Sequence, residues 1–139
     1  MRRHWRLFEH DADIGLSATA ASREALFAAM AEALTAVVTD PGLVECRKSI
    51  DIECSAPDDA VLLVDWLNSL IYEMATRHML FCRWDVRLSD HSLAASVCGE
   101  AIDQTRHQPA VEIKGATYTA LSIARDEQGR WQADCVVDV

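Results

Sequence analysis

Glycine and proline are scarce in this chain of 139 residues, at five and three copies. With so few glycines there is no G-x-G-x-x-G and no Walker sequence to cradle a phosphate. No proline-rich, glycine-rich or repeated stretch divides the chain, so residues 1–139 read as one domain. Basic charge is also short: Lys+Arg 13 against Asp+Glu 22 gives a net charge of -9 with histidine neutral. A protein that grips nucleic-acid phosphates replaces counterions with lysines and arginines, so stable direct binding of nucleic acid is not expected. Long apolar runs are missing as well. The longest, residues 25–31, is mostly alanine and far too short to span a bilayer. No apolar stretch follows the basic start Met1-Arg2-Arg3 as a secretory signal requires, so no membrane association and a cytoplasmic location are expected. Five cysteines stand at 46, 54, 82, 98 and 135 without a C-x-x-C pair. Their apolar neighbours suggest buried thiols in a reducing compartment. G-x-S-x-G and H-E-x-x-H are absent, and the histidines show no metal-ligand spacing.

Half of the chain is hydrophobic, enough to bury a core. Leu26, Phe27, Met30, Leu34, Val37 and Val38 recur at three- and four-residue spacing, which predicts a helix over 22–38 capped by Ser22 and ended by Asp40-Pro41-Gly42. A second helix starts near Pro57-Asp58-Asp59, with Leu63, Leu67, Leu70, Ile71 and Met74 as its stripe. Asp65 and Glu73 fall on its polar side, where solvent is expected. Strands are predicted over 14–19, 49–54, 81–88, 93–100, 117–125 and 130–139, the later ones joined as two hairpins. This order predicts an α+β two-layer sandwich, with two main helices on a largely antiparallel mixed β-sheet.

Three segments carry candidate chemistry. In Glu9-His10-Asp11-Ala12-Asp13, an extended chain would put His10 and Ala12 on one face and Asp11 and Asp13 on the other, the two carboxylates about 7 Å apart. Carboxylates kept close call for a cation or hydrogen-bond donors, and hard oxygen ligands suit calcium or magnesium better than zinc. The plain alternative is a solvated turn. At the end of the sequence Asp134 and Asp138 share a face but lie about 13 Å apart along a strand, too far to hold one ion directly. Asp138 with Val139 would complete an oxygen site only if this strand ends beside Asp13; otherwise it is a frayed terminus. In Glu112-Ile113-Lys114-Gly115, small residues after Lys114 permit close approach of a ligand, with Lys114 as a point charge or as a salt-bridged surface lysine.

Taken together, these segments resemble the archease family. His10-Asp11-Ala12-Asp13-Ile14-Gly15 follows its H-T-A-D-[VI]-G pattern, and residues 25–30 its alanine-rich helix. Asp65-Trp66-Leu67-Asn68-Ser69-Leu70-Ile71 follows D-W-L-N-x-L-I; Gly99-Glu100, the segment 112–118 and the final Asp138-Val139 complete the register. The resemblance covers essentially the whole length. It implies an accessory protein and not an enzyme: an activator of the RtcB-type RNA ligase of tRNA splicing and RNA repair, which promotes attachment of the guanylyl group to the ligase. It also implies a divalent metal site, assigned to calcium in the family, at Asp13, Asp138 and Val139, with Lys114 matching the family lysine. His10 and Asp11 are partner-facing candidates. Asp11 stands where threonine is usual, Gly115 where alanine is, and Thr119 where histidine is often found. Rival readings are a chaperone or modulator of RNA-modifying enzymes such as a tRNA methyltransferase, a hydrolase using Asp11 and Asp13, and a purely structural domain.

Overall fold

The computed structural model describes residues 4–139; the basic start at Met1-Arg2-Arg3 lies outside the described residues. The chain runs β1 (Trp5–His10), β2 (Asp13–Ala20), α1 (Arg23–Val38), a 3-10 turn (Pro41–Leu43), β3 (Lys48–Ser55), α2 (Asp59–Arg77), β4 (Met79–Leu88), β5 (Ser92–Ala101), the short α3 (Gln104–His107), β6 (Gly115–Ala116), β7 (Ser122–Arg125) and β8 (Trp131–Asp138). The α+β class is as expected. The strands, however, divide between two sheets instead of joining in one. One sheet has the order β1-β2-β8-β6 with β7 also on β8, and the other has the order β3-β5-β4. Every strand pair in both is antiparallel.

Both long helices begin where their caps dictate. The Ala25 N–H donates to Ser22 Oγ at 3.1 Å, and the Val61 N–H to Asp58 Oδ1 at 2.9 Å. The same two ends are tied together by Arg23 and Asp59, 2.7 Å apart. α1 packs on β2 and on β4, so it lies across both sheets, while α2 packs on β3 and β6. This explains why α1 is buried well beyond one stripe, with Ala31 and Ala33 as inaccessible as Leu26 and Phe27. Alanine there lets helix and sheets approach closely. Trp66 is fully buried on α2, and its Nε1 donates to the Phe27 carbonyl at 2.9 Å, which satisfies its polar atom inside the core. Each such large side chain contributes about 1.5–3 kcal/mol by leaving water.

Two expected details differ. Residues 117–121 do not form a strand. The Thr119 N–H donates to Thr117 Oγ1, Ala120 adopts φ 53°, and regular pairing starts only at Ser122. The cysteines are not all buried thiols either: Cys135 is buried, Cys54 and Cys98 are half-buried, and Cys46 is exposed and disulfide-bonded to Cys82. The spacing of single cysteines carries no trace of a pair that meets only through the fold.

Candidate functional site

β1 and β2 form a hairpin whose two loop residues are Asp11 and Ala12, since His10 pairs with Asp13. The extended reading of this segment is therefore corrected. His10 and Asp13 are cross-strand partners and share a face, whereas Asp11 sits in the turn. Asp11 adopts φ 54°, a left-handed conformation that aspartate tolerates better than most residues. Its side chain is 94% exposed, and its carboxylate lies 3.9 Å from His10 Nδ1.

β2 continues into the sheet against β8, with Ile14 opposite Val137 and Gly15 opposite Val136. Extending that register by one residue sets Asp13, the first residue of β2, across from Asp138, the last of β8. Opposed Cα atoms in such a ladder are about 4.5–5.5 Å apart. On the other side of β8, Gly115 pairs with Asp138, and the Lys114 N–H donates to the Asp138 carbonyl at 2.8 Å. One row thus crosses four strands: His10, Asp13, Asp138, Gly115. Asp13 and Asp138 are half-buried, Lys114 is exposed, and none of the three has an ion-pair partner among the described residues. The side chain of Val139 packs against the core. Asp134 lies farther along β8 opposite Ser17 and is not part of the row.

Two rows further along, where Phe8 pairs with Gly15, the geometry explains the glycine. Gly15 lies under the Phe8 ring, so closely that a Cβ there would come within 2.1 Å of Phe8 Cζ. The Arg6 guanidinium lies over the same ring, 5.5 Å from its centroid. Asn68 of α2 holds the site from behind: the Ala116 N–H donates to its Oδ1 at 2.8 Å, fixing the short β6 beside the end of β8. Next to Asn68, an open hollow of about 530 Å³ is lined by Asp51, Glu53, Asp65, Tyr72 and Glu73, so Asp65 and Glu73 border a concave acidic surface.

A family-type metal makes a specific demand on this row. Among the described residues no group of three or more histidine, cysteine, aspartate or glutamate side chains is arranged to hold a metal ion. Two carboxylates with no competing cation do offer hard oxygen donors to calcium or magnesium, with main-chain or Val139 oxygens needed to complete the shell. The donor chemistry fits such an ion and does not suit zinc.

A second cluster was not singled out in the sequence beyond its Gly99-Glu100 step. Glu100 is only 5% exposed. It accepts from Arg106 through both oxygens, at 2.8 and 2.5 Å, and from the Glu45 N–H at 2.7 Å. His107, 1% exposed, accepts the Asp103 N–H on Nδ1 at 2.8 Å, which assigns its proton to Nε2, 3.0 Å from Glu100 Oε2. The Arg106 guanidinium above all holds the Glu100 carboxyl down to about 2, against the opposing effect of burial. This cluster is satisfied within itself and ties α3 to β5 and to residues 43–47.

Comparison with known proteins gives a consistent result. Residues 5–139 match the Archease protein family. The chain is 33% identical to "Protein archease" of Pyrococcus furiosus over 141 residues, covering 99% of each chain. It is 32% identical to that of Methanopyrus kandleri over 139 residues, covering 97% of this chain and 99% of the relative. The solution structure of Methanobacterium thermoautotrophicum protein 1598 superposes with a TM-score of 0.81 at 27% identity, covering 99% of this chain and all of the other. A Thermotoga maritima crystal structure, described as an archease and possible chaperone, shares the fold with a TM-score of 0.60 at 19% identity, covering 100% of this chain and 98% of the other.

Proposed function

The chain belongs to the archease family, and on that premise we propose that it is an accessory protein that activates an RtcB-type RNA ligase in tRNA splicing and RNA repair, promoting guanylylation and repeated turnover of the ligase. The observation that supports this reading most is the row at one end of the first sheet, where Asp13 stands across from Asp138 with Lys114 hydrogen-bonded alongside. Like charges placed directly opposite on neighbouring strands destabilise a sheet, and a cation held between them would offset that cost.

In this proposal Asp13, Asp138 and Val139 hold a divalent ion, calcium by analogy with the family. The ion supplies fixed positive charge that offsets the carboxylates and attracts phosphate oxygens. The chain's own residues do the remaining work. Asp13 and Asp138 are positioned by the β2–β8 ladder, so the tip presents one geometry to the partner. Lys114, without an ion-pair partner among the described residues, supplies a point charge beside that tip. His10 and Asp11 form its outer rim and contact the partner protein. Positioning and charge arrangement are the main levers in nucleotidyl transfer, and an accessory protein can supply them without touching the scissile bond.

The partner is thus a protein, not RNA held by this chain, consistent with the charge of -9. No helix among the described residues is long and apolar enough to cross a membrane; a cytoplasmic setting belongs to the proposal. The test is a multiple-turnover RNA ligation assay with an RtcB-type ligase. Added protein is expected to restore turnover and ligase guanylylation, and Asp13→Ala or Asp138→Ala to abolish both while leaving circular dichroism unchanged. Full activation by both variants would overturn the proposal. A second reading is a chaperone or modulator of RNA-modifying enzymes such as a tRNA methyltransferase, of which the Thermotoga maritima description supports only the words possible chaperone. That reading predicts client binding insensitive to Asp13.

A further inference from the structure

Residues 39–47 carry the chain from α1 to β3 as a strap beside Glu100. The strap is anchored repeatedly without covalent help. The side chain of Val44 is buried, the Glu45 N–H donates to Glu100 Oε2 at 2.7 Å, the Arg47 N–H donates to the Gly99 carbonyl at 2.9 Å, and Arg106 Nη1 donates to the Leu43 carbonyl at 2.8 Å. In the middle of it Cys46 is exposed and bonded to Cys82, their Cα atoms 6.2 Å apart, within the ordinary range for a disulfide. Cys82 is the extra residue of a bulge: Phe81 pairs with Gly99 and Arg83 with Cys98, leaving Cys82 without an opposite number. A bulge re-aims one side chain without breaking the sheet, and here it directs a sulfur toward the strap.

From this geometry we propose that Cys46 and Cys82 form a reversible thiol–disulfide exchange site, a covalent clasp on the strap whose reaction partners are low-molecular-weight disulfides and thiols. In the closing direction, the Cys46 thiolate attacks one sulfur of a disulfide RSSR, and RS⁻ leaves to give a Cys46–SR mixed disulfide. The Cys82 thiolate then attacks the Cys46 sulfur and expels the second RS⁻. The two cysteine protons end on two RSH, two electrons pass from the protein to RSSR, and one S–S bond forms inside the chain as another is consumed. Opening is the reverse, with Cys46 as the sulfur that solvent reaches. Two of the three remaining cysteines are poorly suited to compete. Cys135 is buried, with its thiol pushed up to about 11 by burial, and burial also raises Cys54. Because the strap keeps its hydrogen bonds to Glu100 and Gly99, opening the clasp loosens residues 44–47 and leaves the fold standing. The proposal does not depend on the ligase reading.

The test uses the full chain equilibrated with oxidised or reduced glutathione, then denatured and alkylated with iodoacetamide. The oxidised protein is expected to leave Cys54, Cys98 and Cys135 for alkylation and to yield a peptide linking Cys46 to Cys82; the reduced protein should be alkylated at all five cysteines. Hydrogen exchange should be faster at residues 44–47 after reduction, by about tenfold or more, with β5 amides unchanged. Cys46→Ser should exchange like the reduced form under both conditions. Alkylation of all five cysteines after oxidation, a linkage to any other cysteine, or identical strap exchange in the two states would overturn the proposal.

Discussion

Asp13 and Asp138, from opposite ends of the chain, flank the last pair of the β2–β8 ladder, Ile14 opposite Val137, so that its register sets them across from each other at the tip of the first sheet. Their strands are fixed by seven residue pairs from Ile14↔Val137 to Ala20↔Trp131. The apposition is thus built into a ladder and does not depend on flexible loops.

Removing one charge from this pair should relieve repulsion when no ion is present. Asp13→Asn or Asp138→Asn is expected to raise stability in chelator by a few tenths to about 1 kcal/mol. Calcium at about 100 times its dissociation constant should stabilise the native protein by about 2.7 kcal/mol and neither variant to the same degree. Thermal unfolding with EDTA and with calcium measures both. A calcium response of equal size in all three proteins would rule out the tip as the ion site.

The Glu100 cluster predicts a loss of stability in acid. Its carboxyl is held down to about 2 in the fold, against an ordinary value of 4.5, so the folded state binds this proton later than the unfolded chain does. The stabilisation is therefore complete above about pH 4.5 and disappears as pH falls toward 2. Glu100→Gln should cost about 1–3 kcal/mol at neutral pH, since Arg106 and His107 lose a charged acceptor. The variant's stability should also fall less steeply between pH 4.5 and 2. Denaturant unfolding across that range reads both effects.

Two glycines should respond differently to alanine. A Cβ on Gly99 would come within 1.9 Å of the Leu80 carbonyl oxygen, a backbone atom that cannot swing aside, so Gly99→Ala should cost about 2–3 kcal/mol. The atoms nearest a Cβ on Gly15 are all at the end of the Phe8 side chain, which can rotate away, so Gly15→Ala should cost less, about 1 kcal/mol. Equal costs in chemical denaturation would contradict this account of both contacts.

The parts of the fold legible in the sequence are those where burial and local chemistry agree. Ser22 and Asp58 cap the helices as predicted because capping is decided within four residues. β1 is not legible in the sequence because it is an edge strand. Only Trp5, Phe8 and His10 are half-buried, so neither face shows a clean alternation. α3 is a single turn, too short to display a helical period. The division into two sheets depends on strand order, which hydrophobic pattern does not encode. As for the candidate site, periodicity could place Asp13 and Asp138 near strand ends but could not pair them. Their association rested on resemblance, and the β2–β8 register supplies the physical basis. Cys46–Cys82 had no local signature at all, because a bulge and a strap create it.

The place of β8 in its sheet has a consequence for how the molecule is made. β4 and β5 form a hairpin closed by a short turn, whereas β2 must find β8 across almost the whole length of the polypeptide. Pairings that distant carry the largest loop-closure cost and are rewarded late in folding. The acidic tip should therefore be among the last features to assemble, after the helices and the second sheet have formed. A chain arrested at any earlier stage would present Asp13 alone, so only molecules that have finished folding display the paired aspartates.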